Sequence, residues 1–320
     1  MKLKTALNSI LYWLLFGLWW LVSLLPMWLH YVFADVLYVL VAHVLRYRHK
    51  VIDKNLAHAF PELTDAERRR LRRQFYHYFC DFIAEIVKYA TMRPANIKRR
   101  MVFHGAEQVR EILRDGQDVA LMLGHYCNWE WMTCYPIWLE GVDKACGQIV
   151  HELENPVVNR VMRAVRNRMG SQTVAMQETL RWLLGHRKEG QTTILAYVSD
   201  QVPLWWNIHH WLNFMNQDTP VFTGLERIAR KLNQAVVYID ARRVRRGYYE
   251  ADVQVITRDP NSLPEFGITD EYFRRLEATI RRDPQYWLWS HNRWKRTREE
   301  FNRDYEVKDG RVVKRVNNGN

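Results

Sequence analysis

Val119-Ala120-Leu121-Met122-Leu123-Gly124-His125-Tyr126-Cys127-Asn128-Trp129-Glu130 decides how the rest of this 320-residue chain is read. A short apolar run closed by glycine predicts a buried strand that breaks sharply. His125 then stands at the strand's mouth, and Glu130 follows five positions later. With a helix starting near Asn128, Glu130 falls in its first turn, where the helix dipole favours a carboxylate, and it can turn back toward the His125 ring. A carboxylate beside imidazole fixes the ring's tautomer and stabilises its cation. Such a pair can deprotonate an alcohol for attack on an ester or thioester. A histidine and an acid at this spacing also occur by chance, so the surrounding sequence has to carry the reading.

Working outward, apolar runs alternate with helical patterns from Val102 onward. Strands are expected at Val119–Leu123, Ala145–Val150, Thr193–Val198, Ala235–Asp240 and Glu250–Ile256. Between them, Asn155 and Pro156 open a helix as N-cap and first residue, and Gly170 closes it. Further helices are expected from about Gln177 to Lys188 and from about Gly224 to Leu232. This alternation predicts an α/β fold with a central, mainly parallel or mixed sheet flanked by helices. Upstream, a helix is expected from Asp65 to about Tyr89, opened by a Thr64/Glu67 capping box. Its polar face carries Arg68, Arg69, Arg72 and Arg73, which either are solvated or meet lipid headgroups.

The N-terminus has a different character. Between Thr5 and Leu45 the only formal charge is Asp35. Ala6 to Met27 is long enough to span a bilayer as a helix, with Trp19, Trp20 and Trp28 suited to an interface. Beyond Pro26 and His30, Tyr31 to Leu45 reads as an interfacial or re-entrant helix, too short and interrupted for a second span. A signal peptide is the competing interpretation, but the stretch is too long and lacks a small-residue cleavage site; a buried core helix is the other. Arg46, Arg48, Lys50, Lys54 and Arg68 to Arg70 follow the stretch, against Lys2 and Lys4 before it. That asymmetry predicts a chain whose bulk lies in the cytoplasm. The expected division is an anchor, residues 1–45, and a cytoplasmic-face domain, residues 46–320.

The chain carries 47 Lys and Arg against 35 Asp and Glu, a net charge of +12, which favours an anionic partner. The arginines are scattered and match no nucleic-acid module, so nucleic acid is not expected. Cys80, Cys127, Cys134 and Cys146 show neither metal-ligand spacing nor a disulfide framework. Cys127 is too close to His125 in sequence to face it as a nucleophile. G-x-S-x-G, H-E-x-x-H and G-x-G-x-x-G are missing. Gly185 to Thr192 has P-loop-like glycine spacing but Gln191 where the lysine belongs. His209-His210 has no companion metal ligands.

A second strand end, Ala196-Tyr197-Val198-Ser199-Asp200-Gln201, places Asp200 at the same edge of a parallel sheet as His125, where α/β sheets build their sites. The loop after it is crowded with Trp205, Trp206, Trp211 and Phe214. These either pack against the domain or form a wall for an acyl chain or the bilayer. The His125/Glu130 pair, Asp200-Gln201, Asp218-Thr219-Pro220-Val221 and the segment from Pro284 to Lys295 (PQYWLWSHNRWK) together resemble the bacterial lipid A late acyltransferases, which include lauroyl and myristoyl transferases. The resemblance covers nearly the whole chain. It implies a glycerophosphate-acyltransferase-like fold and transfer of a fatty acyl group from acyl carrier protein to a hydroxyl of a lipid A precursor, at the cytoplasmic face of the inner membrane. His125 would be the general base and Glu130 its acidic partner; Arg166 or Arg168, with Asp200, would serve the substrate. No cofactor is implied, because the thioester is already activated. Where the family often has Tyr-Arg-Pro, this chain has Val150-His151-Glu152, so that arginine's role must be filled otherwise.

Two other readings fit parts of the sequence. A glycerophosphate- or lysophospholipid-type acyltransferase shares the histidine-acid motif but usually carries a downstream Glu-Gly-Thr-Arg, where this chain has Val198-Ser199-Asp200-Gln201. A basic, membrane-tethered binding protein has only the charge in its favour. The cluster Arg242, Arg243, Arg245 and Arg246 is expected either to dock the acidic carrier or the acceptor, or to be a solvated loop.

Overall fold

The computed structural model describes residues 2–315, with side chains from Leu7 onward, so Met1 and the side chains of Lys2 and Lys4 lie outside the described residues. Helices α1 (Lys2–Leu24) and α2 (Met27–Tyr38) come first, the second running on through a π-helical stretch, Val39–Val44. Pro26, which has no N–H to give a helix, marks the elbow between them. Next come α3 (His49–Ala59), α4 (Asp65–Tyr89) and α5 (Pro94–Arg100). The α/β body continues with β1 (Met101–His104), α6 (Ala106–Arg114), β2 (Val119–Leu123), β3 (Lys144–Val150), α7 (Pro156–Asn167), β4 (Gln172–Ala175), α8 (Thr179–Lys188) and β5 (Thr192–Val198). After β6 (His210–Phe214), β7 (Gln217–Val221) and α9 (Gly224–Leu232) come β8 (Ala235–Arg245), β9 (Tyr248–Thr257) and α10 (Gly267–Arg282). The chain closes on α11 (Arg298–Asp304), β10 (Tyr305–Lys308) and β11 (Arg311–Lys314).

Seven strands form one mixed sheet in the order β1-β9-β8-β2-β5-β3-β4. β8, β2, β5, β3 and β4 run parallel, while β9 is antiparallel to β8 and parallel to β1. The expected α/β class holds. β2 lies in the middle with all five residues buried, which is why its sequence is an unbroken apolar run rather than an alternation. The four-residue edge strands β1 and β4 are too short to give a periodic signal. Two hairpins, β6–β7 and β10–β11, lie outside the expected strands; β10–β11 turns at Asp309-Gly310, both at positive φ, a pairing that favours a two-residue turn.

The helix ends follow local chemistry. Thr64 and Glu67 form the expected capping box of α4, the Asn155 side chain accepts from the Val157 and Val158 amides, and α9 stops at Asn233 with φ +52°. β8 extends five residues beyond the expected Asp240. Its charged tail stays in the ladder because Arg242 sits opposite Glu250 in register and binds both Glu250 and Asp252.

Leu7–Leu24 and Met27–Val44 are each long and apolar enough to cross a membrane, so the second apolar segment is not limited by its length. Most of both stretches is not buried in the body. Their inner faces pack on the body. Tyr12 clusters with Val157 and Val161 of α7, the Trp19 indole donates to the Val87 carbonyl, and the Tyr31 hydroxyl donates to Glu85.

Candidate active site

His125 and Asp200 meet because of the β-ladder. Leu123 pairs with Val198 in the parallel β2–β5 register, so the residues two positions beyond this rung leave the sheet side by side. Asp200 takes three hydrogen bonds: from the His125 ring Nδ1 at 2.5 Å, from the His125 backbone N–H at 2.9 Å and from the Trp287 indole at 2.7 Å. Burial alone would push the Asp200 carboxyl up, but the His125 charge and these donors overcome it and bring the pKa down to about 2. In the neutral ring, Nδ1–H given to Asp200 leaves the lone pair on Nε2, which faces the Gln201 amide at 3.1 Å. Gly124 lets the bend pack closely: a Cβ there would stand 2.6 Å from Leu276 Cδ1 and 3.3 Å from Asp200 Oδ2, so a larger residue would have to displace the buried Leu276 side chain.

Glu130 does not turn back onto His125. The backbone reverses through Cys127 at φ +52°, the Asn128 side chain accepts from the Trp131 N–H, and a 3₁₀ stretch, Trp131–Trp138, starts there instead of an α-helix. From that position the Glu130 carboxylate makes a bidentate pair with Arg166 of α7, at 2.5 and 2.8 Å. Burial opposes the Arg166 cation, and the Glu130 carboxylate outweighs it, raising its pKa. Of the two candidate arginines, Arg166 reaches the cavity beside His125. Arg168 turns away and donates to the Met92 carbonyl.

The segment Pro284–Lys295 contributes no side chain to the cavity wall; it holds the His125 turn from behind. Tyr286 O accepts the Cys127 N–H, His125 O accepts the Leu288 N–H, and Trp287 forms the bond to Asp200. The segment is tied in turn to the body by Asn55, whose amide donates to the Trp289 and His291 carbonyls, and by Arg293, which donates to Pro220 O. Sequence reasoning marked this segment only by resemblance, because buttressing of this kind has no local periodicity.

His125, Glu130 and Arg166 open onto a cavity of about 710 Å³, within the range of ligand pockets. Leu121, Ile194, Ala196 and Ile239 from the sheet, with Phe103 and Tyr135, make its apolar depth. His151 and Glu152, the residues noted above as the departure from Tyr-Arg-Pro, line it too. The tryptophan loop supplies Val202 and Leu204, but none of the four expected aromatics. Trp205 stacks on Tyr305, Trp211 meets Phe301, and Phe214 is fully buried; only Trp206, 58% exposed, faces outward. Cys127 is buried and its thiol is pushed well up by burial, which removes it as a nucleophile. His210 pairs with Asp270, and no group of three or more potential metal ligands occurs among the described residues.

The arginine clusters are less available than their sequence indicates. Arg243 binds Asp81, Arg246 binds Asp35 and Asp81, and Arg242 is paired as above. Arg245 alone of the four has no carboxylate partner among the described residues. On α4, Arg68 and Arg72 are likewise held by Asp65 and Asp53.

Comparison with known proteins adds the family. The model of the family described as bacterial lipid A biosynthesis acyltransferase matches residues 2–296. The chain is 22% identical over 183 residues to a lipid A biosynthesis acyltransferase of Haemophilus influenzae, covering 57% of this chain and 55% of that one. It is 24% identical over 137 residues to the lipid A biosynthesis myristoyltransferase of Escherichia coli, covering 42% and 41%. The chain thus spans about half the length of the curated relatives it matches, or less.

Proposed function

This chain belongs to the bacterial lipid A biosynthesis acyltransferase family, and from that premise we propose that it moves a fatty acyl group from an acyl carrier protein thioester to a hydroxyl of a lipid A precursor. The observation that carries the reading is the His125–Asp200 pair at the mouth of a largely apolar cavity. Asp200 fixes the tautomer that leaves Nε2 basic. Nε2 takes the acceptor's hydroxyl proton as its oxygen bonds to the thioester carbonyl carbon. The tetrahedral intermediate then collapses, the C–S bond breaks, and the thiolate leaves with the proton from the imidazolium. The Gln201 amide occupies the hydrogen-bonding position at Nε2, so it must turn aside as the acceptor enters.

Glu130 acts in this reading through Arg166, holding a cation on the cavity wall toward a phosphate or the developing oxyanion. Arg168 and Asp200 have no direct part in substrate binding here: one caps a neighbouring carbonyl and the other lies behind His125. Residues 1–45 hold the chain on the cytoplasmic face of the inner membrane, and the domain beyond them meets the acidic carrier and the membrane phospholipids.

The test is His125→Ala in purified, detergent-solubilised protein with acyl carrier protein thioester and a lipid A precursor. Acyl transfer should fall by about 100-fold or more, the scale of a lost general base, with the melting transition retained. Turnover near the unmodified level would remove His125 from the mechanism.

A further inference from the structure

A second cavity, of about 480 Å³, lies away from the first, at the elbow between α1 and α2. Its wall includes Lys88 at the end of α4, Arg99 and Arg100 at the end of α5, Arg245 and Tyr248 at the β8–β9 turn, and Met27. Arg100 and Arg245 both stack on the Tyr248 ring, at 4.5 and 3.8 Å. None of these four cations has a carboxylate partner within salt-bridge distance among the described residues, although their neighbours Arg242, Arg243 and Arg246 all do. Among the described residues, Arg99 and Arg100 donate only to neutral oxygens, of Asn96 and Gly247. Lys88 donates to Ser23 O and Leu25 O at the end of α1; burial and the nearby Arg100 charge both lower its pKa.

Converging like charges repel, and they persist only where the fold holds them in place or a counter-ion relieves them. Guanidinium groups are suited to the oxygens of a phosphate. The elbow beside the cavity exposes Leu24, Trp28 and Leu21, at 51, 66 and 60%, an apolar rim with the aromatic character of a bilayer interface. We propose that this cavity binds the phosphate of a membrane glycerophospholipid, with the lipid's acyl chains lying along the exposed face of the α1–α2 elbow. The proposal rests on the membrane-anchored reading of residues 1–45, but not on the acyl-transfer chemistry. Bound there, the lipid neutralises the cationic cluster and fixes the depth at which the body meets the bilayer.

The test uses the full chain in a neutral detergent and measures equilibrium binding of phosphatidylglycerol, of diacylglycerol with the same chains, and of inorganic phosphate. Arg99→Gln/Arg245→Gln alters two exposed side chains of the cavity, and Arg69→Gln/Arg73→Gln alters two exposed arginines on α4 that have no carboxylate partner among the described residues. Phosphatidylglycerol should bind the first variant at least about tenfold more weakly than the unmodified chain, from lost charge-assisted bonds. It should bind the second variant as it binds the unmodified chain, and Arg99→Lys/Arg245→Lys should restore most of the loss. Equal weakening in both glutamine variants, or diacylglycerol binding as tightly as phosphatidylglycerol, overturns the site. Inorganic phosphate that phosphatidylglycerol fails to displace overturns the lipid as its source. Because no readout is acyl transfer, an inactive His125 would leave the result intact. Salt extraction of the unmodified chain from membranes tests the anchor separately.

Discussion

At the scale of single residues, the carboxylate expected beside His125 was Glu130, and the one that stands there is Asp200. Asp200 is almost fully buried behind His125, and its side chain is only 1% exposed. Asp200→Asn keeps the shape but removes the charge that favours the imidazolium, so kcat should fall about as far as in His125→Ala while KM changes little. A rise in KM with kcat retained would make Asp200 a substrate contact instead. In the proposed mechanism the bidentate Glu130–Arg166 pair acts as a unit, so Glu130→Gln and Arg166→Gln should each reduce transfer. The double variant should then be no worse than the more damaging single one. Multiplicative losses in the double variant would show that the two side chains act independently, returning Glu130 to a role of its own.

At the scale of elements, the His125 turn is held from two sides. The β2–β5 ladder delivers His125 and Asp200 to one place, and the segment after α10 locks both by backbone and indole bonds. Trp287 is buried and contacts Phe214, Trp289 and Trp294, so its ring belongs to the core as well as to the site. Trp287→Phe preserves most of that apolar contact and removes the indole N–H. The expected result is a loss of about 1–3 kcal/mol in stability, from the unpaired buried acceptor, with a lowered kcat and a nearly unchanged KM. An unfolding curve and a kinetic split check it; unchanged kcat would show that the bond to Asp200 has no part in orienting His125.

At the scale of the whole molecule, the apolar N-terminal helices are bound to the body as well as exposed. Ala34, Val41 and Ala42 join the main core, Arg160 lies 3.9 Å over the Tyr12 ring, and Arg246 reaches Asp35. The intact chain should therefore stay with membranes through a high-salt wash and come off only in detergent, since screening weakens headgroup attraction but not apolar insertion. Release by salt would show that residues 1–45 do not insert. Removing those residues is not a neutral truncation, because it uncovers Val157 and Val161 of α7.

What the sequence determined by itself was whatever rests on near neighbours along the chain. The run Val119–Leu123 broken at Gly124, the Thr64/Glu67 cap, the Asn155-Pro156 start and the stop at Asn233 are each set by a few adjacent residues, and each stands where it was expected. The α/β class follows from their alternation, and the apolar character of residues 6–45 from composition. Which carboxylate meets His125 was decided only by tertiary structure. Glu130 is five residues away in sequence, but Asp200, 75 residues away, is brought in by strand register, while α7 supplies a guanidinium that draws Glu130 elsewhere. The same holds for the arginines: four in one short stretch look equivalent as letters, yet Asp81, Glu250 and Asp252 neutralise three of them across the fold and leave Arg245 facing a cavity. Charge and spacing are properties of the chain, but a charge's partner is a property of the packing, because electrostatic pairing falls off over a few ångströms of space and takes no account of distance along the sequence.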